Sequence, residues 1–255
     1  LYGLDLDDRA AQLVYFAVMM KARQYDRRFF SRGIQPHVYA IVESNHVDKF
    51  AVDYFCNGDA KLMTAMDTII KELHDAREYG SILTVTQQDW SALYDRFAEV
   101  TEDINMSRDT TLRELLPLVQ GAEALAQKYD AVVTNPPYMA PTEHQKPYLL
   151  KNFKASKNDM AMAFMERNLA FCNKQGYSAL IIFPTWMFLA SYEKLRKSIV
   201  SENTIINMVY PGRGIFGSDF GTTAFVLEKR KIESYKGSYC KLFDAIGEVE
   251  TAEIR

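Results

Sequence analysis

The stretch "KYDAVVTNPPYMAPTEHQKPYLLKNF" places an asparagine, two prolines and a tyrosine, Asn135-Pro136-Pro137-Tyr138, directly after the apolar run at 131–133. Prolines end strands and favour turns, so either one alone says only that a strand stops there. The string of four says more, because average residue usage puts it by chance in roughly one protein of this length in a thousand. Its residue types suit an acceptor that is a poor nucleophile. The lone pair of an exocyclic amine on a nucleobase is delocalised into the ring. Two fixed hydrogen-bond acceptors aimed at its N–H bonds localise that pair and point it at an electrophile, which is orientation and preorganised electrostatics rather than strong base catalysis. The Asn135 side-chain oxygen is one such acceptor and the Pro136 carbonyl is the other. Pro136 keeps Asn135 out of the helical region, and both prolines have locked φ, so the carbonyl is held in place. Tyr138 offers a ring face on which a base taken out of its duplex can stack.

Strands alternating with helices must position this turn. Residues 1–6 read as a strand running into a helix capped by Asp7 or Asp8, with Arg23, Arg27 and Arg28 near its end as the helix dipole prefers. "HVYAIVES" (residues 37–44) reads as a second strand. Between 46 and 128 the pattern turns helical and reads as an insert within one domain. "DAKLMTAMDTIIKELHDAREYG" predicts one helix closing at Gly80, and "SILTV" follows as a short apolar run. "QDWSALYDRFAEV" and "TTLRELLPLVQGAEALAQKY" are further helices, the second broken or kinked near Pro117. The 131–133 run is expected to be a buried strand. Beyond it, "NDMAMAFMERNLAFCNKQG" predicts a helix ending at Gly176, "YSALIIFP" a buried strand, "SYEKLRKSIVSE" a helix and "TIINMVY" a strand. "GTTAFVLEKR" and "SYCKLFDA" are expected to pair as an antiparallel hairpin joined by "KIESYKG". The alternation predicts an α/β fold with a largely parallel sheet covered on both faces. In such sheets ligands bind beyond the carboxyl ends of the strands, where Asn135 to Tyr138 stand.

Composition narrows the classes. The chain has 255 residues and a net charge of -3, which argues weakly against a stand-alone nucleic-acid binder. Its three cysteines, Cys56, Cys172 and Cys240, form no CxxC or Cys/His spacing, so neither a disulfide frame nor a metal site is expected. The longest apolar stretch, "YSALIIFPTWMFLA", is too short to span a bilayer and is interrupted by Pro184. No secretory signal opens the chain. The expectation is a cytoplasmic protein without a membrane partner.

The Asn135–Tyr138 string resembles motif IV of the amino-methylating DNA methyltransferases, which transfer a methyl group from S-adenosylmethionine (SAM). The resemblance implies a Rossmann-like SAM-dependent methyltransferase sheet, double-stranded DNA as partner, and Asn135 holding the target adenine N6. The same short motif occurs in methyltransferases of protein glutamine, so it names the acceptor chemistry rather than the substrate. "YGLDLDDRAA" resembles motif II, which implies that Asp5 accepts from the SAM ribose hydroxyls and Leu6 touches the adenine. "HVYAIVESN" occupies the place of motif III, with Glu43 to Asn45 near the cofactor adenine. "QQDWSAL", with Asp89 and Trp90, is a second candidate for that place. "GRGIFGSDFGTTAFVLEK" resembles motif VIII, whose aromatic residue packs on the other face of the flipped base. Phe216 is the match and Phe220 the reserve. Thr185 and Trp186 are expected to pack in the core or edge the pocket.

Lys146, Lys151, Lys154 and Lys157, with Tyr148 and Phe153 among them, read either as a phosphate-contacting loop or as a solvated surface loop. The long helical insert is most similar to that of the adenine methyltransferases of BREX phage-defence and combined restriction-modification systems, which implies other defence-system subunits as further partners. A methyltransferase of RNA or protein glutamine, or a degenerate DNA-binding or assembly module, is the alternative.

One family feature is missing: the glycine-rich turn of motif I after the first strand. The only glycine near the start is Gly3, inside a strand. In the family that first strand is central. The expectation is therefore a fragment of a larger enzyme whose sheet lacks a middle strand or closes around the gap, and which alone binds SAM poorly and methylates nothing.

Overall fold

The computed structural model describes residues 1–214 and 220–243. The chain divides into two compact units, Leu1–Gln127 and Lys128–Arg255.

In the first unit, β1 (Tyr2–Asp5) leads into α1 (Asp8–Tyr25), and β2 (His37–Ala40) lies parallel to β1 with Asp5 opposite Ala40. Asp7 is the cap of α1: its carboxylate accepts from the Arg9 and Ala10 amides. Five helices follow, α2 (Lys49–Cys56), α3 (Ala60–Glu72), α4 (Ala76–Tyr79), α5 (Trp90–Glu102) and α6 (Arg108–Ala126). The helical segment therefore packs with β1, α1 and β2 in one unit. Its core includes Phe55 and Phe97, whose rings lie 4.5 Å apart, with Met66, Ile69, Leu93 and Leu115 buried around them. The single helix expected over 59–80 is two, because Asp75 stands in the left-handed region at φ 53 and breaks it. Asn45 holds that break: its amide donates to Asp75 Oδ1 at 2.5 Å and its carbonyl accepts from the Asp75 amide at 2.8 Å. Pro117 does not divide α6, which runs through it for 19 residues.

In the second unit the strands are β3 (Tyr129–Thr134), β4 (Cys172–Ile182), β5 (Thr204–Gly212), β6 (Thr222–Glu228) and β7 (Ser238–Lys241), in the spatial order β3-β4-β6-β5-β7. Its helices are α7 (Gln145–Asn152), α8 (Met160–Phe171) and α9 (Glu193–Glu202). β3 is parallel to β4 and β5 to β7, while β6 runs antiparallel to both β4 and β5. The expected hairpin of the last two strands is thus absent. β6 has buried residues on both faces and hydrogen-bonded neighbours on both edges, whereas all four residues of β7 are exposed. A strand with that burial belongs in the interior of a sheet, and an exposed one at its edge.

Two further expectations change. The helix expected to end at Gly176 ends at Phe171, and β4 begins at Cys172. Gly176 is there for close approach instead, since a Cβ would stand 3.0 Å from the Tyr129 carbonyl of the neighbouring strand. The apolar run at 131–133 is not buried: β3 pairs with β4 on one edge, Ala131 is exposed, and Val133 is 79% exposed. α8, by contrast, is buried nearly all round. Its Ala161, Met162 and Met165 pack on Leu180 and Ile182 of β4, Phe225 and Leu227 of β6, and Leu195 and Ile199 of α9. Phe225 is 2% exposed and central in this cluster, so Phe225→Ala is expected to cost about 3–5 kcal/mol of stability, measured by urea denaturation.

Candidate active site

β3 and β4 run parallel with Thr134 opposite Leu180, and β4 and β6 run antiparallel with Ile182 opposite Thr223. The carboxyl ends of β3 and β4 and the start of β6 therefore meet at one edge of the sheet. The segments carrying Asn135 to Tyr138, Phe183 and Phe220 leave the strands there, in the position where open α/β sheets place their ligands.

Asn135 and Pro137 are exposed, Pro136 is buried and Tyr138 is half-buried. Among the described residues neither the Asn135 amide nor the Pro136 carbonyl has a hydrogen-bond partner within the protein. Both acceptors are thus available to a ligand. The turn carrying them is anchored elsewhere. The Met160 amide donates to the Met139 carbonyl at 3.1 Å, tying the end of the turn to the start of α8. Asp159 caps that helix by accepting from the Ala161 and Met162 amides, and burial raises its carboxyl above the usual range. The Tyr138 hydroxyl donates to the Ile181 carbonyl at 2.7 Å, beside the end of β4. Burial pushes its phenol up, so it stays protonated and keeps its donor.

Three rings gather at this edge. The Tyr138 centroid is 4.5 Å from that of Phe183 and 5.9 Å from that of Phe220, and Phe183 and Phe220 are 4.8 Å apart. Phe216, expected to face the base, lies outside the described residues, while its reserve Phe220 joins the group. Sequence reasoning passed over Phe183. The signal was an aromatic residue at the end of the strand that pairs with the one carrying the asparagine turn. Trp186 is 3% exposed, packs on Phe225 and is a core residue, while Thr185 is exposed.

The remaining expected residues divide between the two units. In the first, Asp5 ends β1, and its Oδ1 accepts from the Asp7 amide at 2.9 Å. Leu6 beside it is 48% exposed. Glu43 is exposed three residues beyond the end of the parallel β2, so it stands at the same carboxyl end as Asp5. It lines a cavity of about 290 Å³ with Val42, His46 and Arg113. Asn45 is committed to Asp75, and Asp89 to the α5 cap, where it accepts from the Ala92 amide at 3.1 Å. Trp90 carries a buried indole N–H without a partner among the described residues. In the second unit Lys146 pairs with Glu143, Lys151, Lys154 and Lys157 are exposed, and Phe153 is buried and presents no ring to solvent. No group of three His, Cys, Asp or Glu side chains fit to hold a metal occurs among the described residues, and none of their helices is long and apolar enough to cross a membrane.

An α/β sheet whose strand ends carry an amide and a carbonyl without partners among the described residues, beside an aromatic group, is an arrangement that can accept from the N–H bonds of a planar amine. Residues 1–216 match the model of the Eco57I restriction-modification methylase, and the chain belongs to that family. It is 33% identical over 275 aligned residues to the adenine-specific methyltransferase BrxX of Escherichia coli O9:H4 (strain HS), an alignment that covers 96% of this chain and 23% of that protein. The adenine-specific methyltransferase PglX of Lacticaseibacillus casei (strain Zhang) is 32% identical over 259 residues, covering 96% of this chain and 21% of its own. The chain spans about a fifth to a quarter of the length of these relatives. The DNA-bound ATP-dependent Type ISP restriction-modification enzyme LlaBIII superposes with a TM-score of 0.44 at 15% identity, over 90% of this chain and 16% of that one, a likeness too distant to carry weight.

Tyr138→Phe removes the bond to the Ile181 carbonyl and keeps the ring. It is expected to lower stability by about 0.5–1.5 kcal/mol, with the unfolding midpoint in urea as the measure.

Proposed function

We propose that this chain is the catalytic part of an enzyme that transfers a methyl group from SAM to the N6 amino group of adenine in double-stranded DNA, within a restriction-modification or phage-defence system. The observation that carries the reading is the pair of unengaged acceptors, Asn135 and the Pro136 carbonyl, in a family of restriction-modification methylases. The names of the two relatives, both adenine-specific methyltransferases, support adenine as the acceptor.

The residues of the first unit fit a nucleoside. Asp5 has one carboxylate oxygen engaged by its own turn and the other left for a hydroxyl, beside the exposed apolar Leu6 and at the same strand end as Glu43. Asp5 would accept from the ribose, Leu6 would lie against the adenine, and Glu43 would stand near its polar edge. When bound, SAM supplies an electrophilic methyl group. Asn135 and Pro136 accept from the two N–H bonds of the target amine and turn its lone pair toward the incoming carbon. Tyr138 would take the flipped base on its ring, with Phe216 on the other side, since Phe220 meets Tyr138 edge to face at 5.9 Å. Lys146, Lys151, Lys154 and Lys157 would meet backbone phosphates, whose recognition fixes register without reading sequence. Other defence-system subunits would complete the assembly, in a cytoplasmic setting where DNA is accessible.

The test uses the full-length protein, labelled SAM and mixed-sequence duplex DNA digested to nucleosides. Label is expected in N6-methyladenosine. Asn135→Ala is expected to abolish transfer while SAM binding by equilibrium dialysis is retained, and persistence of transfer would refute the acceptor role. Label in RNA or protein instead of DNA would refute the substrate. Asp5→Ala is expected to weaken SAM binding about tenfold to a hundredfold, the worth of a hydrogen bond to a charged group, with Asp5→Asn intermediate.

A further inference from the structure

The Tyr138 hydroxyl bond to the Ile181 carbonyl fixes where the ring is, but not how it is turned. The hydroxyl oxygen lies on the Cβ–Cγ axis about which the ring rotates, so a bond at that point leaves the rotation free. The torsion is intrinsically broad. The angle of the ring plane must come from a lateral contact. Tyr138 packs in part on the buried cluster that includes Ile182 and Met165, and Phe183 supplies the aromatic contact, with its centroid 4.5 Å away and its plane inclined 45° to that of Tyr138. It also meets Phe220, edge to face, at 4.8 Å and 69°. Phe220 touches Tyr138 less closely, at 5.9 Å and 79°. Phe183 is thus the ring common to the two short contacts.

Its support comes from both directions. Phe183 follows Ile182, a fully buried core residue of β4, and precedes Pro184, whose locked φ starts the next turn. Phe220 is 43% exposed and closes the group on the solvent side. A base stacks well only on a ring whose plane is already set, because ordering that ring on binding costs affinity.

We propose that Phe183 is a positioning residue of the methyl-acceptor site: it sets the plane of Tyr138, and through it the orientation of the flipped base. The inference rests on the adenine-methyltransferase reading. Phe183 touches neither the reacting atoms nor, by this account, the base. Its effect runs through Tyr138 alone.

The experiment places 2-aminopurine at the target position of a duplex and follows its emission on binding to the full-length protein. In parallel, methylation of an adenine duplex yields KM for DNA, KM for SAM and kcat. Phe183→Leu keeps an apolar side chain of similar volume and removes the aromatic contact. It is expected to weaken formation of the stacked, flipped state and kcat/KM for DNA by about threefold to tenfold, the worth of one aromatic pair, while KM for SAM stays unchanged. Phe183→Tyr is expected to restore both. In a Tyr138→Ala background Phe183→Leu is expected to change the emission no further, since its route is gone. Equal loss in that background, or an equal rise in KM for SAM, would mean general disruption and overturns the proposal. So does an unchanged Phe183→Leu enzyme beside an active wild type. A wild type that neither methylates DNA nor alters 2-aminopurine emission overturns the adenine reading, and this inference with it.

Discussion

The placement of β6 between β4 and β5 is the constraint on which the second unit depends. β6 runs against both neighbours, so its start lies at the same edge as the end of β4. Because β3 is parallel to β4, the end of β3 is there as well. Three chain segments from distant parts of the sequence are delivered to one place by hydrogen-bond register alone. Reversing β6 would carry Phe220 to the opposite edge and leave Tyr138 and Phe183 without it. The core fixes the register: Phe225 and Leu227 of β6 are buried against α8, and a one-residue slip would turn them to the other face.

The acceptor turn shows a division of labour between rigid and free groups. Its prolines, the Met139–Met160 backbone bond and the Tyr138–Ile181 bond hold the backbone from several sides. The Asn135 amide and the Pro136 carbonyl are left without partners among the described residues. An acceptor already satisfied internally would have to give up a hydrogen bond to bind a ligand, and the net gain would shrink. Asp159 and Asn45 illustrate the opposite case, polar side chains whose oxygens accept from backbone amides and hold the chain.

Much of this was legible in the residues themselves. Asn-Pro-Pro-Tyr carries its own backbone restraints, so the turn and the acceptors it presents could be read without a fold. Strand and helix periodicity placed β2, β5, α5 and α9 close to where they stand. Asp7 acts as the helix cap that its position before α1 suggested. Legibility failed where meaning depends on a neighbour distant in sequence. Gly176 looked like a helix stop and is a close-approach point against β3. The 131–133 run looked buried and lies on an edge strand. Asp75 looked like an ordinary helical position, and the left-handed break there is secured by Asn45, thirty residues earlier.

The sequence by itself determined the local chemistry: which turn presents two acceptors, which carboxylate ends a strand, and which segments have helical or strand periodicity. Those properties follow from φ restrictions, capping and side-chain spacing, all set within a few residues. The tertiary structure alone decided that β6 lies inside the sheet and β7 at its edge, and that Phe183 sets itself against Tyr138. Pairing partner and direction are chosen by burial and register across segments dozens of residues apart, and no local pattern encodes them.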